Sequence, residues 1–278
     1  MLFAVDRAPS YSLTRAPLVQ ALAQVRFPLV ADFQNLGGVA PLQNALRANF
    51  PYMEQTRVQE LGFAIGPSGP SAAANETVNW QFTNDDGYLL EVGSGSATVS
   101  AGSAYEGVDE FASMFGVMLG ALSAVGIPRC DRIGVRYLSV APSLPTEARS
   151  IQEWFRPDVL GWAGSSAVDP DFVTSSIAQT QLTVEPKDEF SSCPASVQAI
   201  VRHGYIPAGA ILVGIPQISV DSRSFFLDLD VSCAGHQPLS APRLLEQFHA
   251  FHREIDSFFF WSLSKKGGEY FGLETRNS

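Results

Sequence analysis

Two carboxylates and two imidazoles late in the chain have a spacing that suits chemistry. Asp228 and Asp230 stand two apart in an apolar run, so on a strand both project from one face. His249 and His252 stand three apart in a helical pattern, which makes them near neighbours. Carboxylates with imidazoles suit a hard or borderline divalent cation, acid–base work or a ligand contact. A plainer role competes and weighs more. His252 falls inside the apolar arc of its helix, where an imidazole hydrogen-bonded to a strand carboxylate accounts for it. His249 sits at the arc's edge, as a solvated residue would. No metal or cofactor is expected.

Arg132 and Arg136 form a second candidate. They share a strand face with Gly134 between them, which leaves room for a ligand or another backbone. Two guanidiniums can hold a carboxylate or phosphate in two-point bonds. The competing role is an ion pair with a carboxylate such as Asp228. A pocket reading predicts that Arg136, Asp228, Asp230 and His252 converge on one cavity. The third candidate is the run Phe258 to Trp261. Phe258 and Phe259 belong to the core stripe of the last helix. Phe260 and Trp261 lie off it, and either pack under Tyr270 and Phe271 or form a contact patch for a partner.

Elements must position these side chains. Leu22 to Leu29 reads as a first strand, closed by Pro28, with Gly37 and Gly38 breaking the chain after it. A helix is expected from Val39 to Phe50 and a strand from Val58 to Ile65. Gly66 to Asn75 reads as a surface loop. Trp80, Phe82, Tyr88, Leu90 and Val92 alternate about the turn Asn84 to Gly87, a hairpin pattern. Ala97 to Ala101 follows as a strand. Asp109 can cap a helix from Phe111 to Val125, ended by Gly126. Gly116 and Gly120 allow a close neighbour there. Ile133 to Tyr137 is a strand with Arg132 and Arg136 on its other face. Ser150 with Glu153 forms a capping box. Gly161 to Pro170 reads as a loop. Strands are expected at Ile177 to Glu185, Val197 to His203, Ile211 to Val220 and Phe225 to Cys233. A long helix closes the chain from Pro242 to Leu263. The fold class is therefore α+β: antiparallel sheets, each covered by a long amphipathic helix. Each half has strands and then a helix, which suggests a two-lobed duplication, 1–142 and 143–278, or one continuous domain. Ala141 to Pro145 is the expected boundary.

Bulk properties exclude whole classes. A chain of 278 residues, 46% hydrophobic and 17% charged, can build a sizeable core and is not disordered. Its net charge of −10 repels phosphate backbones and anionic membranes, and no basic stripe carries interleaved aromatics, so nucleic acid is not an expected partner. Cys130, Cys193 and Cys233 have neither the number nor the spacing of a disulfide framework or zinc site. Met1 to Ser12 lacks the basic start and apolar run of a signal peptide. Phe111 to Val125 is shorter than the about 20 residues a bilayer needs. These features point to a cytoplasmic protein. No phosphate loop, dinucleotide fingerprint, serine elbow or zincin motif is present, and Gly93-Ser-Gly95 reads as a strand kink.

Four stretches taken in order carry a resemblance: Arg15-Ala-Pro-Leu-Val19 with Gln24-Val-Arg-Phe-Pro28; Asp131-Arg-Ile-Gly-Val-Arg-Tyr137; Leu227-Asp-Leu-Asp230; and Phe251-His-Arg-Glu-Ile255 with Phe258-Phe259. The set resembles a sporadically distributed prokaryotic family of conserved hypothetical proteins and spans almost the whole chain. This chain has Gln20 where the family's pattern places an acid. The resemblance implies no activity. Its patchy distribution implies an accessory gene of the defence or immunity type. The leading expectation is a non-enzymatic interaction or regulatory protein whose partner is another protein or a second copy, with no membrane role. The alternative is a small-molecule-binding or metal-assisted catalytic domain with a pocket between sheet and helix.

Overall fold

Two strands set the architecture by strict alternation. In β7 (Arg129–Pro142), Ile133, Val135 and Tyr137 are buried on one face while Arg132 and Arg136 point the other way. In β12 (Ser224–Pro238), Leu227, Leu229 and Val231 alternate with Asp228 and Asp230. Each strand thus has one face that must be covered and one that can meet water.

The computed structural model describes residues 1–6, 11–66, 69–143, 150–169, 172–212, 214 and 216–275. A short β1 (Tyr11–Leu13) precedes β2 (Leu18–Arg26), α1 (Leu36–Leu46), β3 (Tyr52–Gly66), β4 (Gly69–Thr83), β5 (Tyr88–Val92), β6 (Ser96–Ala101), α2 (Val108–Ala124) and β7. Then come α3 (Ser150–Trp154), α4 (Pro157–Leu160), β8 (Ser176–Val184), β9 (Val197–Ile206), β10 (Ile211–Leu212), β11 (Ile218–Ser219), β12, α5 (Ala241–Ser262), α6 (Lys265–Phe271) and β13 (Leu273–Thr275). The fold is α+β. Nine strands form one antiparallel sheet in the order β3-β4-β5-β6-β2-β7-β12-β9-β8. β1 pairs with β13. The boundary expected near residue 142 falls at the end of β7, and β7 pairs with β12 from Ser224↔Pro142 onwards, so both halves share this sheet.

The two long helices, α2 and α5, cover the apolar face side by side. Phe115 stacks on Phe248 with ring centroids 5.4 Å apart, and Phe111 meets the same ring at 5.7 Å. Small residues under them, Ala21 and Ala23 of β2 and Ala97 and Ala101 of β6, leave space for those rings. Each phenylalanine fully buried this way contributes about 2–3 kcal/mol. Gly116 gives the close approach expected of it: a Cβ there would stand 3.7 Å from Leu245 of α5, whereas Gly120 has nothing nearby. No helix among the described residues is long and apolar enough to cross a membrane.

Several expectations are corrected. Gly37 and Gly38 do not break the chain; they form the first turn of α1, capped by the Asn35 side chain, which accepts from the Gly38 N–H. A Cβ on Gly38 would clash with the Asp32 carbonyl, so the glycine is a packing requirement. Asp109 lies in the first turn of α2, and Gly107 takes the cap position. Gly69 to Asn75, expected in a loop, belongs to β4 and pairs with β3 from Gly66↔Gly69 to Glu60↔Asn75; the ladder outweighs a composition poor in strand formers. Ile211 to Val220 is not one strand but the small hairpin β10–β11. It folds over the open face, where Leu138, Ile206, Val220 and Phe226 make a second small core. Part of the Gly161 to Pro170 segment is a 3-10 turn continuing from α4. The end of the Ala141 to Pro145 stretch and the Ser150 side chain of the capping box lie outside the described residues.

Candidate functional site

The open face gathers the arginines and aspartates. Strand register places Asp230 opposite Arg136 on one side, and Arg202 of β9 opposite Asp228 on the other. Arg136 grips Asp228 at two points, Nε to Oδ1 at 2.7 Å and a terminal nitrogen to Oδ2 at 2.9 Å. Arg202 donates to the same Oδ2 at 3.2 Å and to Gln179 of β8 at 2.8 Å. Arg132 reaches Asp230 at 3.5 Å and Gln24 of β2 at 3.4 Å. The room left by Gly134 is filled from within: a Cβ there would stand 2.7 Å from an Arg132 guanidinium nitrogen.

The electrostatics follow from partial burial. Asp228 is 4% exposed at its side chain and Arg136 21%. Burial raises the Asp230 pKa, with Arg132 opposing. Burial also pulls Arg136 down, but its bond to Asp228 outweighs this and leaves it raised, while Arg132 is lowered by desolvation. Three guanidiniums here face two carboxylates, and each carboxylate already holds a guanidinium. This is an ion-pair network on a sheet face.

His252 is not part of it. Helix α5 covers the Leu229 face of β12, so the sheet itself separates His252 from Asp228 and Asp230. The imidazole packs on Tyr137, centroids 5.6 Å apart, and its Nε2 meets Asp256 of the same helix at 3.3 Å. The expected bond to a strand carboxylate is therefore replaced by an i,i+4 pair. Its Nδ1 is buried without a partner. Burial drives its pKa down to about 3, so the ring is neutral at ordinary pH. His249 packs beside Phe248 and is likewise lowered by burial. No group of three or more His, Cys, Asp or Glu among the described residues is arranged to hold a metal ion.

What His252 does line is a cleft of about 240 Å³ between α5, the sheet and the segment linking β1 to β2. Leu13, Leu18, Leu229, Ile255, Phe259 and Phe260 form the apolar part of its walls, and the carboxylates of Glu106 and Asp256 stand among its polar groups. Its polar groups converge from three elements. The hydroxyls of Tyr105 and Tyr137 are hydrogen-bonded at 3.0 Å, and His252, Asp256 and Ser139 stand alongside. Burial raises the Tyr137 pKa well above the usual phenol range, so its hydroxyl stays protonated. Sequence reasoning missed Tyr105, Tyr137 and Asp256. Asp256 had a signal, since it lies one turn beyond His252; Tyr105 had none, because it comes from a loop.

Phe260 and Trp261 are half-buried. Phe260 lines the cleft and meets Phe259 at 5.5 Å. Trp261 packs against Phe258 at 5.3 Å, under the guanidinium of Arg156. Tyr270 and Phe271 pack on Trp154, at 3.9 and 5.6 Å. The three cysteines are free and buried, and the Cys233 thiol lies 3.4 Å from the Ala195 carbonyl. Compared with known proteins, the chain matches no protein-family model and no curated protein.

Proposed function

We propose that the protein works by binding, and that the cleft under α5 takes a small non-anionic molecule with an apolar body and one or two hydrogen-bonding groups. The observation that carries this reading is the cleft itself: apolar walls with a few convergent polar groups are the usual form of a ligand site. The Tyr105–Tyr137 pair and neutral His252 offer uncharged donors and acceptors, and Glu106 and Asp256 add carboxylates. No arginine or lysine lines the cleft among the described residues, so an anionic head group would find no cationic partner there. The arginine–aspartate network is assigned a structural role instead, because its carboxylates already hold guanidiniums. An accessory or regulatory role, as the sequence resemblance implies, fits a protein whose output is binding. A role in self-association is favoured by a separate observation, the uncharged outer edge of β8.

The test is a thermal-shift screen of neutral and cationic metabolites against the full chain, repeated on Leu18→Trp. Leu18 is a half-buried wall residue, so the larger ring plugs the cleft without rebuilding the core. A compound that stabilises the native chain and loses its effect in Leu18→Trp and in Tyr137→Phe supports the reading. Stabilisation that survives the plug places the ligand elsewhere and overturns it, as does a library that leaves the melting temperature unmoved.

A further inference from the structure

The two ends of the nine-stranded sheet are defended differently. At one end β3 carries Glu54 and Arg57. At the other, β8 reads Ser-Ile-Ala-Gln-Thr-Gln-Leu-Thr-Val, with no charge and no proline. It pairs with β9 over its whole length without a bulge, and no described strand lies on its outer side. Ile177, Ala178, Gln179, Thr180 and Gln181 are all exposed, with Ile177 at 66%. A long edge strand presents a row of backbone donors and acceptors, and proteins usually guard it with charge, proline, a bulge or a covering segment. Charge, proline and bulge are all missing from β8.

The residue order says what fits there. Turned antiparallel on itself about Thr180, the strand sets Thr180 opposite Thr180 of a second copy. Gln179 then faces Gln181, Ala178 faces Leu182, Ile177 faces Thr183 and Ser176 faces Val184. Each pair lies on one face of the sheet, because the side-chain period is two. Threonine against threonine and aliphatic against aliphatic or β-branched residues are favourable cross-strand pairs. The register brings no like charges together, although each copy carries a net charge of −10. We infer that β8 is the surface on which two copies of this chain join, edge to edge, into one continuous eighteen-stranded sheet with a two-fold axis through Thr180. The axis stands perpendicular to the sheet, so the α2 and α5 layers of both copies lie on the same side.

The inference is independent of the cleft and is tested on the full chain by sedimentation across the micromolar range. The native chain is expected to form a dimer that dissociates on dilution. Thr180→Lys sets two ammonium groups against each other across the axis, while Thr180 itself is exposed and free to change. It should weaken association by about tenfold or more. Thr180→Cys should cross-link under mild oxidation, because directly opposed residues of an antiparallel pair are about 4.5–5.5 Å apart at Cα, within disulfide reach. Thr183→Cys should not, since its two copies would stand about 20 Å apart along the strand. The three native cysteines are buried and do not compete. A chain that stays monomeric throughout overturns the inference. So does a dimer that Thr180→Lys leaves intact and Thr180→Cys fails to cross-link, which would join through another face. Circular dichroism of Thr180→Lys, expected to match the native chain, separates lost association from lost folding.

Discussion

Arg136 reaches past its direct neighbour to Asp228. The register sets Asp230 across from it, yet its guanidinium closes both bonds on the diagonal carboxylate, at 2.7 and 2.9 Å. Asp228 is the more buried partner, and Arg202 shares it. Removing it strands two guanidiniums on a partly dry face. Asp228→Ala should therefore lose about 3–5 kcal/mol in urea unfolding, the cost of breaking a buried pair from one side. The double variant Arg136→Met with Asp228→Leu should recover part of that loss, because it removes one of the two stranded guanidiniums and leaves Arg202 its bond to Gln179. A single variant costing under about 1 kcal/mol would mean the pair is solvated and worth no more than a surface bridge.

How much of this was legible depends on the kind of information. Parity within a strand was: Arg132 and Arg136 do share the face opposite Ile133 and Val135, and Asp228 and Asp230 do share a face. The apolar arc of α5 was also legible, with His252 inside it. Joining the two was where the reading went wrong, though the signal existed. A helix lays its apolar arc on the apolar face of a sheet, so a histidine in that arc must lie across the sheet from aspartates that alternate with Leu227 and Leu229. Other features had no such signal. Tyr105 enters the cleft from a loop whose path depends on the whole fold, and the long β3–β4 ladder overrides a Gly, Ala and Ser composition that argues for a loop. Glu254 could have been flagged, since it falls in the buried arc; its carboxylate accepts from the Leu2 and Phe3 amides.

His252 makes stability depend on pH with a definite sign. Burial lowers its pKa in the fold from 6.5 to about 3, helped by the neighbouring charges of His249 and Arg253. Between those two values the unfolded chain takes a proton that the folded chain refuses. Its contribution is therefore fully present above pH 6.5 and is lost as the pH falls through the window, at up to about 1.4 kcal/mol per unit. Asp230 and Glu254 have raised values and act in the opposite direction, while His203 and His249 act in the same one. The difference between native and His252→Gln profiles cancels these four. Urea midpoints of the native chain should fall more steeply from pH 7 to pH 4 than those of His252→Gln; parallel profiles would show that the imidazole is hydrated in the fold.

Two glycines that look alike in the sequence should respond oppositely to alanine. Both sit inside strands of the main sheet, and both have a Cβ position already taken. At Gly134 the obstacle is the far end of the Arg132 side chain, 2.7 Å away. That guanidinium can swing outward, so Gly134→Ala should stay within about 1 kcal/mol of the native chain and release the Arg132–Asp230 contact. At Gly204 the obstacle is backbone: a Cβ would stand 1.7 Å from the Ser176 carbonyl, and the residue holds φ at 150°. Neither can yield without parting β8 from β9 at Ile177↔Gly204. Gly204→Ala should then cost more than about 2 kcal/mol and expose the β8 amides to hydrogen exchange while the central strands stay protected. Because the dimer edge is β8 itself, the same variant should also abolish association. Equal damage from the two alanines would mean that Arg132 is locked in its place over Gly134, and that the open face of the sheet is more rigid than its exposure implies.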